Sequence, residues 1–165
     1  MIGRGGSEIF RDQSLVWMNR LTPISSPRWL GLPNPDTPAV ALWDGDRCLS
    51  SQDLTALVGA AVAALGAEGV SSGNRVAVCV PRSALAIVAN LAVMQIATAV
   101  PLNPDLPAQA MEAVLRRRGI RLVLISGDAP AATTAAAERA GIRRVSLPSI
   151  DRLAEADRAD PPAHG

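Results

Sequence analysis

Short apolar runs bounded by turn residues recur along this chain, and segments of helical length separate them. Arg75-Val76-Ala77-Val78-Cys79-Val80, Ala99-Val100, Arg121-Leu122-Val123-Leu124-Ile125 and the stretch from Arg143 to Leu147 are the runs. Their hydrophobicity is continuous rather than alternating, which marks strands covered on both faces, as in a parallel sheet. Between them the spacing predicts three helices. Ser83 is placed to cap an apolar helix from Ala84. Pro107 to Arg118 brings Met111, Val114 and Leu115 inward, with Pro107 in the first turn. Alanine-rich Ala131 to Ala140 closes on Gly141. Strands that alternate with such helices need right-handed crossovers, so the expected fold is α/β, a parallel sheet with helices on both faces.

A small β-hairpin is expected ahead of that sheet, because Ala39 to Trp43 and Arg47 to Leu49 flank Asp44-Gly45-Asp46. Ser50 and Asp53 then stand at capping-box spacing. Leu54, Leu57, Val58, Ala61, Val62 and Leu65 follow as one helical stripe, with Gly66 and Gly69 to end it. Residues 1–38 are expected to be irregular, since prolines at 23, 27, 33, 35 and 38 exclude long helices and central strands. Ser14 to Arg20 suits one short helix there. Residues 39–150 form a single α/β domain in this reading. The polar, proline-bearing tail 151–165 is expected to be flexible.

Composition excludes several function classes. The formal net charge is +1, which gives a polyanion no bulk electrostatic hold. All 16 basic residues are arginine, and tyrosine is absent as well. The aromatic residues Phe10, Trp17, Trp29 and Trp43 precede the predicted sheet, so its core offers no ring on which a base would stack. No nucleic-acid partner is expected. Cys48 and Cys79 lie in apolar stretches and read as reduced, buried thiols. Ala84 to Leu102 is uncharged and long enough to span a bilayer, but Asn90, Gln95, Thr98 and Pro101 interrupt it. A helix buried on all sides explains it better, and no membrane association is expected. No signal peptide is visible near Met1, so the cytoplasm is the expected compartment.

His164, the sole histidine, stands in the loose tail, where nothing would hold it against a nucleophile. Two separated cysteines and that histidine make no zinc set. Cys79 reads as a small hydrophobe in a strand. Ser126-Gly127-Asp128 follows a strand and precedes a helix, where an anion can sit, but Asp128 would repel it. Gly3-Arg4-Gly5-Gly6 has no strand before it. Arg116-Arg117-Arg118 reads as a solvated helix end, the cations complementing the dipole before Gly119. A phosphate loop of the usual kind needs a lysine that the chain lacks.

One set of residues, taken in order, resembles a known family. Leu49, the helix Leu54 to Leu65, Gly69-Val70, Gly73-Asn74-Arg75-Val76-Ala77-Val78, Pro81, Leu91-Ala92-Val93-Met94 and Pro101-Leu102-Asn103-Pro104 follow one another as in the N-terminal subdomain of the adenylate-forming (AMP-binding) superfamily. That superfamily includes acyl-CoA synthetases, luciferases and peptide-synthetase adenylation domains. The likeness covers about residues 38 to 126. Three places depart from the family pattern: Leu49-Ser50-Ser51 stands for Leu-Thr-Tyr, Asn74 for an aspartate, and Ile96-Ala97-Thr98 for a glycine-alanine pair. The Pro-Leu-Asn-Pro form tilts the likeness toward acyl-CoA synthetases rather than luciferases.

The resemblance implies a parent reaction in which ATP activates a carboxylic acid to an acyl-adenylate, and a thiol then displaces AMP. ATP, Mg and CoA or a carrier thiol are implied for the parent family only. The family's phosphate loop, adenine-binding segment and mobile lysine have no counterparts here, so no catalytic, cofactor-binding or metal residue is assigned. The expected product is a chain truncated before the phosphate loop and catalytically incomplete alone, whose partner is the remainder of a synthetase or a full-length homologue. A stand-alone interaction module and an unrelated flavodoxin-like binding domain remain open alternatives.

Overall fold

The computed structural model describes residues 39–159. The expectations for Ser14 to Arg20, Gly3 to Gly6, the proline-rich start and His164 lie outside them. The chain opens with an antiparallel hairpin of β1 (Val40–Asp44) and β2 (Arg47–Ser50), in which Asp44 faces Arg47. Gly45 and Asp46 are the loop residues, so the glycine takes the first loop position, with φ +59°.

Helix α1 (Ser51–Ala67) begins on the anticipated capping box. The Ser50 hydroxyl oxygen accepts the Asp53 N–H at 3.1 Å, and the Asp53 carboxylate accepts the Ser50 N–H at 2.9 Å. A further bond from the Ser50 hydroxyl to that carboxylate, 2.6 Å long, is the main reason Asp53 titrates below the usual aspartate range. Leu54, Leu57, Val58, Ala61 and Leu65 are buried along one face. Gly66 does not stop the helix; Gly69 does. At φ +76° Gly69 donates to the Gly66 carbonyl at 2.9 Å, and Val70 donates to the Leu65 carbonyl at 3.0 Å. That pair of bonds satisfies carbonyls the helix end would leave orphaned, and a side chain at φ > 0 would be strained there.

The parallel sheet comprises β3 (Arg75–Cys79), β4 (Thr98–Pro101), β5 (Leu122–Ile125) and β6 (Arg143–Ser146), ordered β4-β3-β5-β6. Helix α3 (Ala108–Arg117) and helix α4 (Ala131–Ala140) pack on one face. Met111, Leu115, Ala136 and Ala137 there meet Ala77, Cys79 and Val123. Side chains alternate along strands, so Val76, Val78, Leu122 and Leu124 point to the opposite face. Helix α1 packs there against α2 (Ala84–Ile96) and α5 (Ile150–Ala159). Helix α3 ends as α1 does, with Gly119 at φ +61° and the Ile120 N–H on the Leu115 carbonyl at 3.2 Å.

Two expectations are corrected. Helix α2 is not buried on all sides: Val88, Ala89, Ala92 and Val93 face inward, while Ile87 and Met94 are 41% and 46% exposed. It forms the outermost layer of its face, so burial reaches only one stripe. The segment from Asp151 is not a loose tail as far as Ala159. Its Leu153 is 2% exposed, and Asp151 pairs with Arg47 at 2.7 Å. One buried leucine, Leu153, suffices once α1 supplies the surface to pack on.

Leu57 is 3% exposed, so Leu57→Asp is expected to leave no cooperative melting transition, whereas Leu57→Ala should lower stability by about 3 kcal/mol in urea titration. A Leu57→Asp variant that melts like the parent would refute the stripe. Ser50→Ala should cost about 1 kcal/mol at neutral pH. Asp53 titrates lower when folded, so it contributes stability above its unfolded pKa and loses it as the pH falls. The gap in melting temperature between Ser50→Ala and parent should therefore narrow as the pH falls below the usual aspartate range, leaving the part due to the Asp53 N–H bond.

Candidate functional site

From β3 the chain goes outward to β4, then returns past β3 to β5, so the strand order reverses between β3 and β5. In open α/β sheets the crevice outside the carboxyl ends of the strands at such a reversal is the usual ligand position. A cavity of about 550 Å³ lies there. Val80 after β3, Ser126 and Asp128 after β5, Leu147 and Ser149 after β6, and Arg152 from α5 contribute to its lining.

The start of α2 faces this cavity through Ser83, and it is already satisfied. The Ser83 hydroxyl oxygen accepts the Ala86 N–H at 3.4 Å, and the Asp44 carboxylate reaches from the hairpin to accept the Ala84 N–H at 2.9 Å. A carboxylate of the chain itself thus answers the positive end of that helix dipole. Ser149 opens α5 in the same manner, its hydroxyl oxygen accepting the Arg152 N–H at 3.5 Å. Ser126 differs. It is 4% exposed, and its hydroxyl has no hydrogen-bond partner.

Among the described residues the charged lining is Asp128 and Arg152. Among the described residues no group of three or more His, Cys, Asp or Glu is arranged to hold a metal ion. One carboxylate and one guanidinium do not fit a magnesium-bound triphosphate, which needs metal ligands and several fixed donors. The perturbed acids and thiols lie elsewhere and act structurally. Hydrogen bonds from Arg139 and the nearby Arg116 charge hold Glu112 low. Burial pushes the Cys79 thiol up, although its Sγ lies 3.6 Å from Thr133 Oγ1. A thiol so placed stays protonated and unreactive.

Among the described residues that the sequence offered for chemistry, Ser126-Gly127-Asp128 reaches the crevice. Cys48 is exposed, not buried, because its side of β2 points outward while neighbouring Leu49 points in. Arg116, Arg117 and Arg118 are exposed, and Arg116 donates to the Arg139 carbonyl at 2.5 Å and pairs with Glu112 at 3.2 Å. The triplet is not isolated. Arg75, Arg121 and Arg143 stand at or beside the starts of three parallel strands, a regularity visible in sequence once those strands are aligned. A second groove, of about 800 Å³, runs between α1 and α5 and is lined by small residues such as Ala56, Gly59, Ala60 and Ala63.

Sequence comparison agrees with this architecture. The family model for AMP-binding enzymes matches residues 32–163, so the chain belongs to the AMP-binding enzyme family. It is 39% identical over 94 residues to nonribosomal peptide synthetase easA of Emericella nidulans, covering 56% of this chain and 1% of that protein. It is 32% identical over 127 residues to nonribosomal peptide synthetase dtxS1 of Metarhizium robertsii, covering 72% of this chain and 2% of that protein. A benzoate CoA ligase from Burkholderia xenovorans LB400 shares the fold with a TM-score of 0.62 at 22% identity, over 77% of this chain and 27% of that one. The chain therefore spans a small part of each of these proteins. Among the described residues no helix is long and apolar enough to cross a membrane.

Brief treatment of the native protein with iodoacetamide should label Cys48 and spare Cys79, which should react only in denaturant. Peptide mass spectrometry distinguishes the two, and rapid native labelling of Cys79 would contradict its burial.

Proposed function

We propose that this chain supplies the N-terminal part of an adenylating unit, an AMP-dependent ligase that converts a carboxylic acid to its acyl-adenylate and then to a thioester. The observation that carries the reading is the AMP-binding family match across residues 32–163. The Pro101-Leu102-Asn103-Pro104 form leans toward acyl-CoA synthetases. The identities of 39% and 32% to peptide synthetases lean instead toward a unit that hands its acyl group to a carrier thiol.

These 165 residues do not perform the reaction alone. Adenylyl transfer spreads negative charge over the phosphate oxygens, and stabilising it needs fixed cations and a metal site. The chain contains no lysine. Among the described residues its crevice has one guanidinium, Arg152, balanced by Asp128. Binding a substrate without stabilising that charge does not accelerate the step.

The partner in this reading is the rest of such a unit, in the cytoplasm where ATP is supplied. Exposed apolar side chains support it. Trp43 of β1 is 65% exposed, and exposed Ile87 and Met94 flank half-buried Leu91 on α2 at helical spacing. No charged residue interrupts positions 83–104. Uncharged surface of this kind marks contact with more protein.

Purified 165-residue chain, assayed with ATP, magnesium and a panel of carboxylic and amino acids, should show no exchange of pyrophosphate into ATP above background. Clear exchange without another protein would overturn the proposal.

A further inference from the structure

Eight of the sixteen arginines gather around the amino ends of the parallel strands, although they are spread over seventy positions in sequence, from Arg75 to Arg144. The fold joins them by direct bonds. Arg75 at the start of β3 donates to the Arg118 carbonyl at 3.0 Å, beyond the end of α3. Arg116 reaches the Arg139 carbonyl in α4, and Glu112 lies between Arg116 and Arg139 at 3.2 and 2.9 Å. Arg144 pairs with Glu138 at 3.0 Å, and Arg143 pairs with Glu68 beyond the end of α1 at 2.6 Å. Arg117 and Arg121 complete the set by adjacency in the chain.

Three glutamates answer eight arginines across this network. Among the described residues Arg75, Arg117, Arg118 and Arg121 have no carboxylate partner, and all four are exposed. The formal charge of the whole chain is only +1, so this end is locally basic while the rest is acidic on balance. Helix dipoles account for some of the arrangement, because α1, α3 and α4 all end here and cations favour helix C-termini. They do not account for Arg75, Arg121, Arg143 and Arg144, which belong to strands or strand entries.

We infer that this arginine-rich end is a docking surface for an acidic segment of a protein. Guanidinium forks pair with carboxylates through two parallel bonds, and arginine carries less hydration than lysine into such an interface. Four unpaired forks beside four paired ones present a surface for several carboxylates on one partner. The interleaved Glu68, Glu112 and Glu138 disfavour a continuous phosphate backbone, which would meet a carboxylate wherever it met the paired arginines. No aromatic residue lies anywhere from position 44 to the end of the chain, so base stacking adds nothing. The surface is independent of the crevice at the opposite ends of the strands, and the inference stands whether or not the adenylating reading holds.

The test uses the full chain and a fluorescein-labelled deca-glutamate peptide, followed by anisotropy at about 20 mM and 150 mM salt, conditions that separate weak from strong screening. Binding should be measurable at the lower salt. The Arg117→Glu, Arg118→Glu, Arg121→Glu triple variant should weaken it by about tenfold or more. Arg47→Glu with Arg82→Glu, on the crevice side, should change it by less than about twofold. Melting curves check that the triple variant is folded, and the milder Arg→Gln triple carries the same expected direction if the reversal is not tolerated. Absence of peptide binding, or equal weakening by the control pair, would overturn the assignment. So would tighter binding of duplex DNA or of phosphatidylserine vesicles than of the peptide at equal salt.

Discussion

The two central strands have no side that tolerates water, and the rest of the architecture follows from this. Val76, Ala77, Val78 and Cys79 of β3 and Leu122, Val123 and Leu124 of β5 are all buried. A strand buried on both sides must be covered twice, which obliges the chain to leave the sheet after every strand and return along a helix. α3 and α4 close one face and α1, α2 and α5 the other. Only the outer strands β4 and β6 escape this demand. They carry the half-exposed and charged positions, such as Thr98, Arg143 and Arg144.

That constraint also divides the chemistry between the two ends of the sheet. At the carboxyl ends lie the starts of helices, short serine-bearing loops and a cavity of about 550 Å³ at the strand-order reversal. At the amino ends lie helix termini and a ring of guanidinium groups. The described residues bring the crevice to its position but contribute one guanidinium and one buried hydroxyl, not a set that stabilises a reacting triphosphate.

Much of the fold was legible in the sequence because local rules and tertiary demands coincide. Ser50 and Asp53 cap α1 as their spacing requires, Ser83 caps α2, and Gly141 closes α4. The β-branched runs became strands within a residue or two of their expected limits. What was not legible depends on neighbours distant in sequence. Helix α5 is a short polar segment whose Leu153 has value only because α1 offers a surface. The exposure of Ile87 and Met94 depends on α2 being outermost, and an apolar sequence looks alike whether one stripe or all of it is buried. Cys48 was misplaced because a hairpin lying outside the main sheet leaves one side open. The gathering of arginines needs the strand order itself, which no local pattern contains. Of the crevice, the sequence revealed the loop Ser126-Gly127-Asp128 but not the hidden state of the Ser126 hydroxyl.

The hairpin looks peripheral, yet Asp44 reaches across forty positions of sequence to cap the first turn of α2. Ser51, where α1 begins, likewise binds the Ala39 carbonyl through both its amide at 2.9 Å and its hydroxyl at 3.2 Å. The smallest excisable unit therefore begins before β1 and not at the first helix. Trimming to Ser51 would leave α1 and α2, two of the three helices on that face, with frayed starts, although no residue of the parallel sheet had been touched.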